Sequence, residues 1–388
     1  MLLRVSFRNV FSFYRETEFD MFHNPERKMF PHHINTKEQI PLLKHALIYG
    51  ANGSGKSNFV KLMYFLQSFV TKEHFLDTVA IKNISFQLVC SNKEPIKIEI
   101  EFFTDKNYYI YGVEIRYTQK YVIDEYLRLS GLGRKEDVTI FERKGNNVTP
   151  TKDKDLSDIL LKKNENSSII ALSNKYPVVK DVENHISKVY NWFSKKLEVV
   201  SINTRTPFLI NMMSENKEIL NFASNLLSNL KITESLVIEE TPFENWASDK
   251  KNIAELQQIL KTDPITDNSG IVAYSNNRNK FNVISRKGKQ VVQEFLFEQL
   301  GIDGYKKKMD ISTQSDGTVR LLTLIPALYD AIKGKVVVID EIENSMHPEL
   351  IYQLLRYFFN SESNGQLICT THLTLLQDQQ NLVRPDEL

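Results

Sequence analysis

The chain has 388 residues, 41% hydrophobic and 25% charged, with a formal net charge of +1. That length holds one large head with an insertion, or two to three domains. No run of eighteen apolar residues occurs, which excludes a helical membrane protein, and the near-zero charge confines any nucleic-acid contact to a local patch.

The opening MLLRVSFRNVFSFY alternates like a strand and places Arg4 and Arg8 among its apolar residues, so it lacks the uninterrupted core of a signal peptide. A cytoplasmic location is expected. A second strand is predicted over Leu43–Tyr49, followed by a glycine loop and a helix from Lys56 to about Phe69. Ile96 to Phe102 alternates apolar and charged residues and reads as one strand of an antiparallel sheet beside that loop. These elements make up a first part, 1–150. Cys90 and Cys369 both lie among apolar residues and are expected as small core residues, too few for a disulfide framework or a cysteine zinc site.

The stretch 151–300 differs in texture. Val182, Ile186, Val189, Tyr190 and Phe193 share one helical face, and Ile219, Phe222, Leu226 and Leu230 another, so helices are expected to dominate. A hairpin is predicted over Ile271–Ile284, turning at Ser275-Asn276-Asn277. In the last part, 301–388, buried strands at Val336–Ile339 and Leu367–Thr370 flank a helical Leu350–Phe359, the pattern of a parallel sheet. The fold class expected is α/β, with the two ends of the chain forming one head of mixed sheet and the helical middle inserted into it.

Gly50-Ala51-Asn52-Gly53-Ser54-Gly55-Lys56-Ser57 matches the phosphate-binding loop at every fixed position, between an apolar strand and a helix. Its glycines let backbone N–H groups of Gly50, Asn52, Gly53, Ser54 and Gly55 turn toward phosphates, and the helix N-terminus through Asn58 adds its positive end. Lys56 is placed to reach the β and γ phosphates of ATP, and Ser57 to ligate Mg²⁺. Val336-Val337-Val338-Ile339-Asp340-Glu341 is an apolar strand ending in two carboxylates. Beside a phosphate loop, Asp340 suits the metal and Glu341 the attacking water, with Glu343 as a rival base. His372, at the carboxyl end of the last strand, can hydrogen-bond the γ phosphate. Ser315-Asp316-Gly317 begins an apolar helix just upstream, a second anion-binding helix start. One active site needs one phosphate cradle, so Ser315 and Gly317 suggest a partner's nucleotide; an ordinary helix cap is the competing reading.

The order of the Gly50–Ser57 loop, Ser315-x-Gly317, Asp340-Glu341-Ile342-Glu343-Asn344-Ser345-Met346-His347-Pro348 and Thr370-Thr371-His372 resembles the ABC-type ATPases of the SMC, RecF and OLD group, and within it the standalone bacterial ATPases of abortive-infection and antiphage loci such as the PARIS and Rlo systems. Asn9-Val10-Phe11-Ser12-Phe13 is similar to that group's opening, with Phe11 where a basic residue is usual. The likeness covers both ends of the chain and little of the middle. It implies a P-loop head of ABC type with an antiparallel β subdomain, ATP and Mg²⁺ as cofactors, and Lys56, Ser57, Asp340, Glu341 and His372 acting within one head. It implies that Ser315 and Gly317 act on the opposite protomer of a homodimer of heads. The group's metal-coupling glutamine is not clearly marked; Gln87, after Ile84-Ser85-Phe86, is the candidate, and an exposed strand residue is the competing reading.

Arg278, Lys280, Arg286, Lys287 and Lys289 cluster around the predicted hairpin, with Lys306-Lys307-Lys308 beyond, as a solvated face or a phosphate-tracking surface for nucleic acid. Two functions are therefore carried: a nucleotide-dependent switch of an antiphage system, controlling a separate effector, and a RecF-like DNA-repair ATPase that clamps DNA itself. A transporter subunit fits Ile342-Glu343-Asn344-Ser345 poorly, and a monomeric GTPase or kinase leaves Ser315-x-Gly317 and His372 unused. Sixteen residues follow His372, no room for the nuclease domain of an OLD protein. The middle has no catalytic set of its own, since His185 sits on an amphipathic helix and the acids are scattered, so a separate effector, a nuclease toxin, is expected.

Overall fold

A computed structural model describes residues 1–80, 83–89, 94–149, 165–173, 180–202, 209–249, 270–275, 278–286, 288–377 and 381–388. In chain order come β1 (Leu2–Arg8), β2 (Thr17–Asp20), β3 (Ile34–Asn35), β4 (Leu42–Leu43), β5 (His45–Tyr49), α1 (Lys56–Thr71), α2 (Phe75–Thr78), β6 (Ile96–Thr104), β7 (Asn107–Arg116), β8 (Tyr121–Leu129), β9 (Val138–Lys144) and β10 (Asn147–Thr149). Then follow α3 (Ile169–Ser173), α4 (Lys180–Asn191), a π turn over Trp192–Lys196, β11 (Leu197–Val200), α5 (Leu209–Glu215), α6 (Lys217–Asn229), β12 (Ser235–Pro242), α7 (Phe243–Asp249), β13 (Gly270–Ser275), β14 (Arg278–Arg286), β15 (Lys289–Leu300) and β16 (Lys306–Asp310). The chain closes with α8 (Asp316–Lys333), β17 (Val336–Ile339), α9 (Pro348–Phe359) and β18 (Gln366–Thr371). It clusters into two compact units, one of Met1–Ile202, Asp330–Ile342 and Phe359–Leu388, the other of Asn203–Tyr329 and Glu343–Phe358. These divisions do not coincide with the expected boundaries at 150 and 300.

The first unit is a mixed α/β head built on two sheets. A seven-stranded antiparallel sheet runs β10-β9-β8-β7-β6-β1-β2, and a four-stranded parallel sheet runs β11-β17-β18-β5. Alternation works as read: in β6, Ile96, Ile98, Ile100 and Phe102 are buried while Lys97 is exposed. Helix α1 is apolar around most of its circumference, burying Phe59, Val60, Leu62, Met63, Phe65, Leu66, Phe69 and Val70 in the core that β1, β6, β7, β17 and β18 share. The strand expected at Leu43–Tyr49 is broken at Lys44. Leu42–Leu43 pairs with β3, and only His45–Tyr49 joins the parallel sheet.

One strand of that parallel sheet comes from the middle of the chain. Leu197–Val200 pairs in parallel with Val336–Ile339, and the Gln67 amide of α1 donates to the carbonyls of Phe193 and Leu197 at 2.9 and 2.7 Å, tying the π turn to the strand start. The middle is therefore not a pure insertion. Nor do helices dominate it: the second unit carries a five-stranded antiparallel sheet in the order β12-β15-β14-β13, with β16 also paired to β15. Its core includes Phe281, Val283, Phe295 and Phe297, and α6 buries Ile219, Ala223, Leu226 and Leu227. The predicted hairpin is β13–β14, with Asn276 and Asn277 of its turn outside the described residues. Arg278, Lys280 and Arg286 fall on β14 and an exposed Lys289 on β15, while Lys287 and Cys90 lie outside the described residues. Cys369 is buried. No helix among the described residues is long and apolar enough to cross a membrane.

Candidate nucleotide-binding site

Strand β5 delivers the chain to the glycine loop, and the loop's shape follows from its glycines. Gly53 and Gly55 adopt φ of 79° and 104°, a region that favours glycine. A Cβ on Gly50 would meet Ser54 Oγ at 2.3 Å, and one on Gly55 would meet Ser12 Oγ at 2.6 Å. Gly55 is the N-cap of α1 and brings no side-chain cap to it; its carbonyl accepts from the Asn58 and Phe59 N–H groups at 2.9 and 3.1 Å, which leaves the Lys56 and Ser57 N–H groups at the open end of the helix. An uncapped, positive helix start facing a cleft fits a phosphate group.

The loop lines a cleft of about 590 Å³ with Asn52, Gly53, Ser54, Gly55, Lys56, Ser57 and Asn58, joined by Glu341 and His372. Lys56, 7% exposed, donates from Nζ to the carbonyls of Gly50 at 2.6 Å and Ala51 at 3.1 Å, and meets His372 Nδ1 at 3.1 Å. A charged lysine has only protons to give, so Nδ1 accepts; a neutral His372 then carries its proton on Nε2, which lies 3.4 Å from Glu341 Oε1. Three residues from the ends of three different elements thus converge on one another. Asp340 is 6% exposed, and its Oδ1 accepts from Thr370 Oγ1 at 2.8 Å. Thr370 Oγ1 in turn accepts from the Glu341 N–H at 2.7 Å, at a backbone turn where Glu341 has φ of 45°.

The segment Asn9–Phe13 abuts the loop. Asn9 and Phe11 are both left-handed, with φ of 54° and 48°, and this tight turn presents Ser12 and Phe13 to Gly55. The Phe11 N–H donates to the Ile84 carbonyl, and Val10 bridges to Ser85. Gln87 is exposed, and its amide turns back onto Ser85 O and Oγ at 2.8 and 2.9 Å. It is not among the residues lining the cleft.

Ser315, Gly317 and Glu343 belong to the second unit. Ser315 caps its helix: its Oγ accepts from the Thr318 N–H at 3.1 Å. Gly317 permits a close approach, because a Cβ there would meet the Ser345 carbonyl at 2.8 Å. Residues 343–346 form a turn closed by Met346 N to Glu343 O at 2.8 Å. Sequence reading assigned no separate role to Thr370 and no contact to Ser12. The signal available was the hydroxyl two places before His372.

The family model described as "AAA domain, putative AbiEii toxin, Type IV TA system" matches residues 46–378. The chain belongs to that family. This agrees with the expectation of an ABC-type ATPase head with abortive-infection kinship. No curated protein matches the chain in sequence. Among solved structures it is similar to an SMC head bound to the C-winged helix domain of ScpA, at 12% identity, 97% of this chain and 90% of that chain, with a TM-score of 0.45. It is also similar to the SMC head domain from Thermotoga maritima, at 12% identity and the same coverage, with a TM-score of 0.42.

Proposed function

We propose that this chain binds and hydrolyses ATP in the glycine-loop cleft and that its nucleotide state switches a separate effector in an antiphage system. The observation that carries the reading is the meeting of Lys56, His372 and Glu341 over an uncapped helix start. In this reading the N–H groups from Asn52 to Ser57 hold the phosphates, and Lys56 leaves the carbonyls of Gly50 and Ala51 for the β and γ oxygens. Ser57 and Asp340 would hold Mg²⁺, which when bound neutralises charge on the transferred phosphoryl group. Gln87 would have to release Ser85 to reach a metal. Glu341 takes a proton from the attacking water as the bond between the γ phosphorus and the bridging oxygen breaks, and His372 holds the γ phosphate and Glu341 in register.

Two copies are proposed to close around two nucleotides, with Ser315 and Gly317 of one copy completing the site of the other. Closure and reopening are the two states an effector reads. The first test is direct: the purified chain should hydrolyse ATP in a Mg²⁺-dependent manner, and Lys56→Ala should lose nucleotide binding itself. Unchanged ATP affinity in Lys56→Ala would remove the cleft from consideration.

A further inference from the structure

The two strands that carry the carboxylates and the histidine are joined at their ends by one buried hydroxyl. Ile339 pairs with Cys369 in parallel register, so Asp340, the first residue beyond β17, lies beside Thr370, which continues β18 in register with Ile48 of β5. Thr370 is 0% exposed, and its single proton has one destination. Because Glu341 N donates to Oγ1 at 2.7 Å, the hydroxyl proton is free to go to Asp340 Oδ1, 2.8 Å away. That bond occupies Oδ1 and fixes the rotation of the carboxylate, leaving Oδ2 as the other acceptor. The same hydroxyl anchors the Glu341 backbone in its left-handed turn, φ 45°, and so aims the Glu341 side chain at the cleft. Thr371, the next residue, has a different partner, because its Oγ1 accepts from the Leu373 N–H at 3.1 Å.

We infer that Thr370 is a positioning residue for the divalent cation, setting which oxygen of Asp340 is offered to the metal and holding Glu341 in place beside it. The inference rests on the reading of the cleft as a nucleotide site. A hydroxyl that orients a metal-ligating carboxylate is coupled to metal affinity rather than to nucleotide affinity alone, and loss of such a partner costs about 10–100-fold in metal affinity or activity.

The test is an equilibrium titration with a fluorescent ADP analogue, with and without Mg²⁺, on the full wild-type chain, Thr370→Val and Thr370→Ser, so that turnover plays no part. Thr370→Val should bind the analogue like wild type without Mg²⁺ and lose about 10–100-fold of the Mg²⁺-dependent gain. Thr370→Ser, which keeps the hydroxyl, should retain most of that gain. Thr370→Ala is carried in parallel, so that a folding failure of the valine variant does not remove the test. A full Mg²⁺ gain in the hydroxyl-less variants, or weakening to the same extent with and without Mg²⁺, would overturn the role given to Thr370 while leaving the cleft standing. A wild-type chain that binds no ADP analogue at all would instead overturn the cleft reading, and this inference with it.

Discussion

In the proposed reaction Glu341 is where the chemistry concentrates, and it can be separated from the residues proposed only to bind. Its carboxylate faces His372 Nε2 at 3.4 Å and lines the cleft. Glu341→Gln keeps the size and the backbone turn but removes the base, so turnover should fall by at least about 100-fold while ATP binding persists. Single-turnover hydrolysis beside equilibrium binding checks it; substantial hydrolysis left in Glu341→Gln, with loss in Glu343→Gln, would transfer the role to Glu343. Gly317 makes a different demand: beside the part proposed for it in the partner's site, its position leaves no room for a side chain. An added Cβ meets the Ser345 carbonyl at 2.8 Å, and backbone cannot swing aside as a flexible side chain would. Gly317→Val should therefore cost about 1–3 kcal/mol in urea unfolding, the usual range for overpacking. Unchanged stability would contradict this packing account, and a loss of hydrolysis beside it would leave the glycine only its part in the partner's site.

At the scale of elements, β5 couples the loop to a buried imidazole. His45 is 1% exposed, stacked on His33 at a centroid distance of 5.0 Å and set edge-on to Phe359 at 4.2 Å. Burial, and after it the charges of His33, Lys44 and His32, push its pKa well below the ordinary 6.5. The unfolded chain therefore binds a proton below about pH 6.5 that the folded chain refuses, so the stability His45 contributes is present above that pH and is lost as pH falls through it. Urea midpoints should drop between about pH 7 and about pH 5.5, and His45→Phe should flatten the drop; an equal drop in the variant would assign it elsewhere. The loop, α1, β17 and β18 were legible because each is specified by a short contiguous run of residues. Leu197–Val200 was not, because so short a segment, interrupted by Glu198, gains its identity only from pairing with Val336–Ile339, far along the chain. Strand β15 was obscured by Gln293, which interrupts the buried row of Phe295 and Phe297; it is 0% exposed and donates to Ser214 Oγ at 2.8 Å and Glu240 Oε1 at 2.7 Å. Thr370 was unreadable as a positioning group for the same reason as β11: its partners are set by strand register.

For the molecule as a whole, the proposed function makes this chain a switch read by something else. No group of three or more His, Cys, Asp or Glu among the described residues could hold a metal ion, and the chemistry proposed for the cleft is phosphoryl transfer to water. The purified chain, challenged with DNA and RNA in ATP and Mg²⁺, should leave both intact; cleavage that disappears in Lys56→Ala would mean that the output is built in. The central claim is that two copies share each ATP site, and it is tested most directly by mixing two defective chains. Lys56→Ala spoils the cleft and keeps Ser315 and Gly317, whereas Ser315→Arg keeps the cleft and spoils the segment offered to the partner. Each should be inactive alone, and their mixture should recover ATP hydrolysis that peaks at equal amounts, because every mixed dimer contains one intact site. No recovery at any ratio, with mixed dimers shown to form, would contradict the shared site.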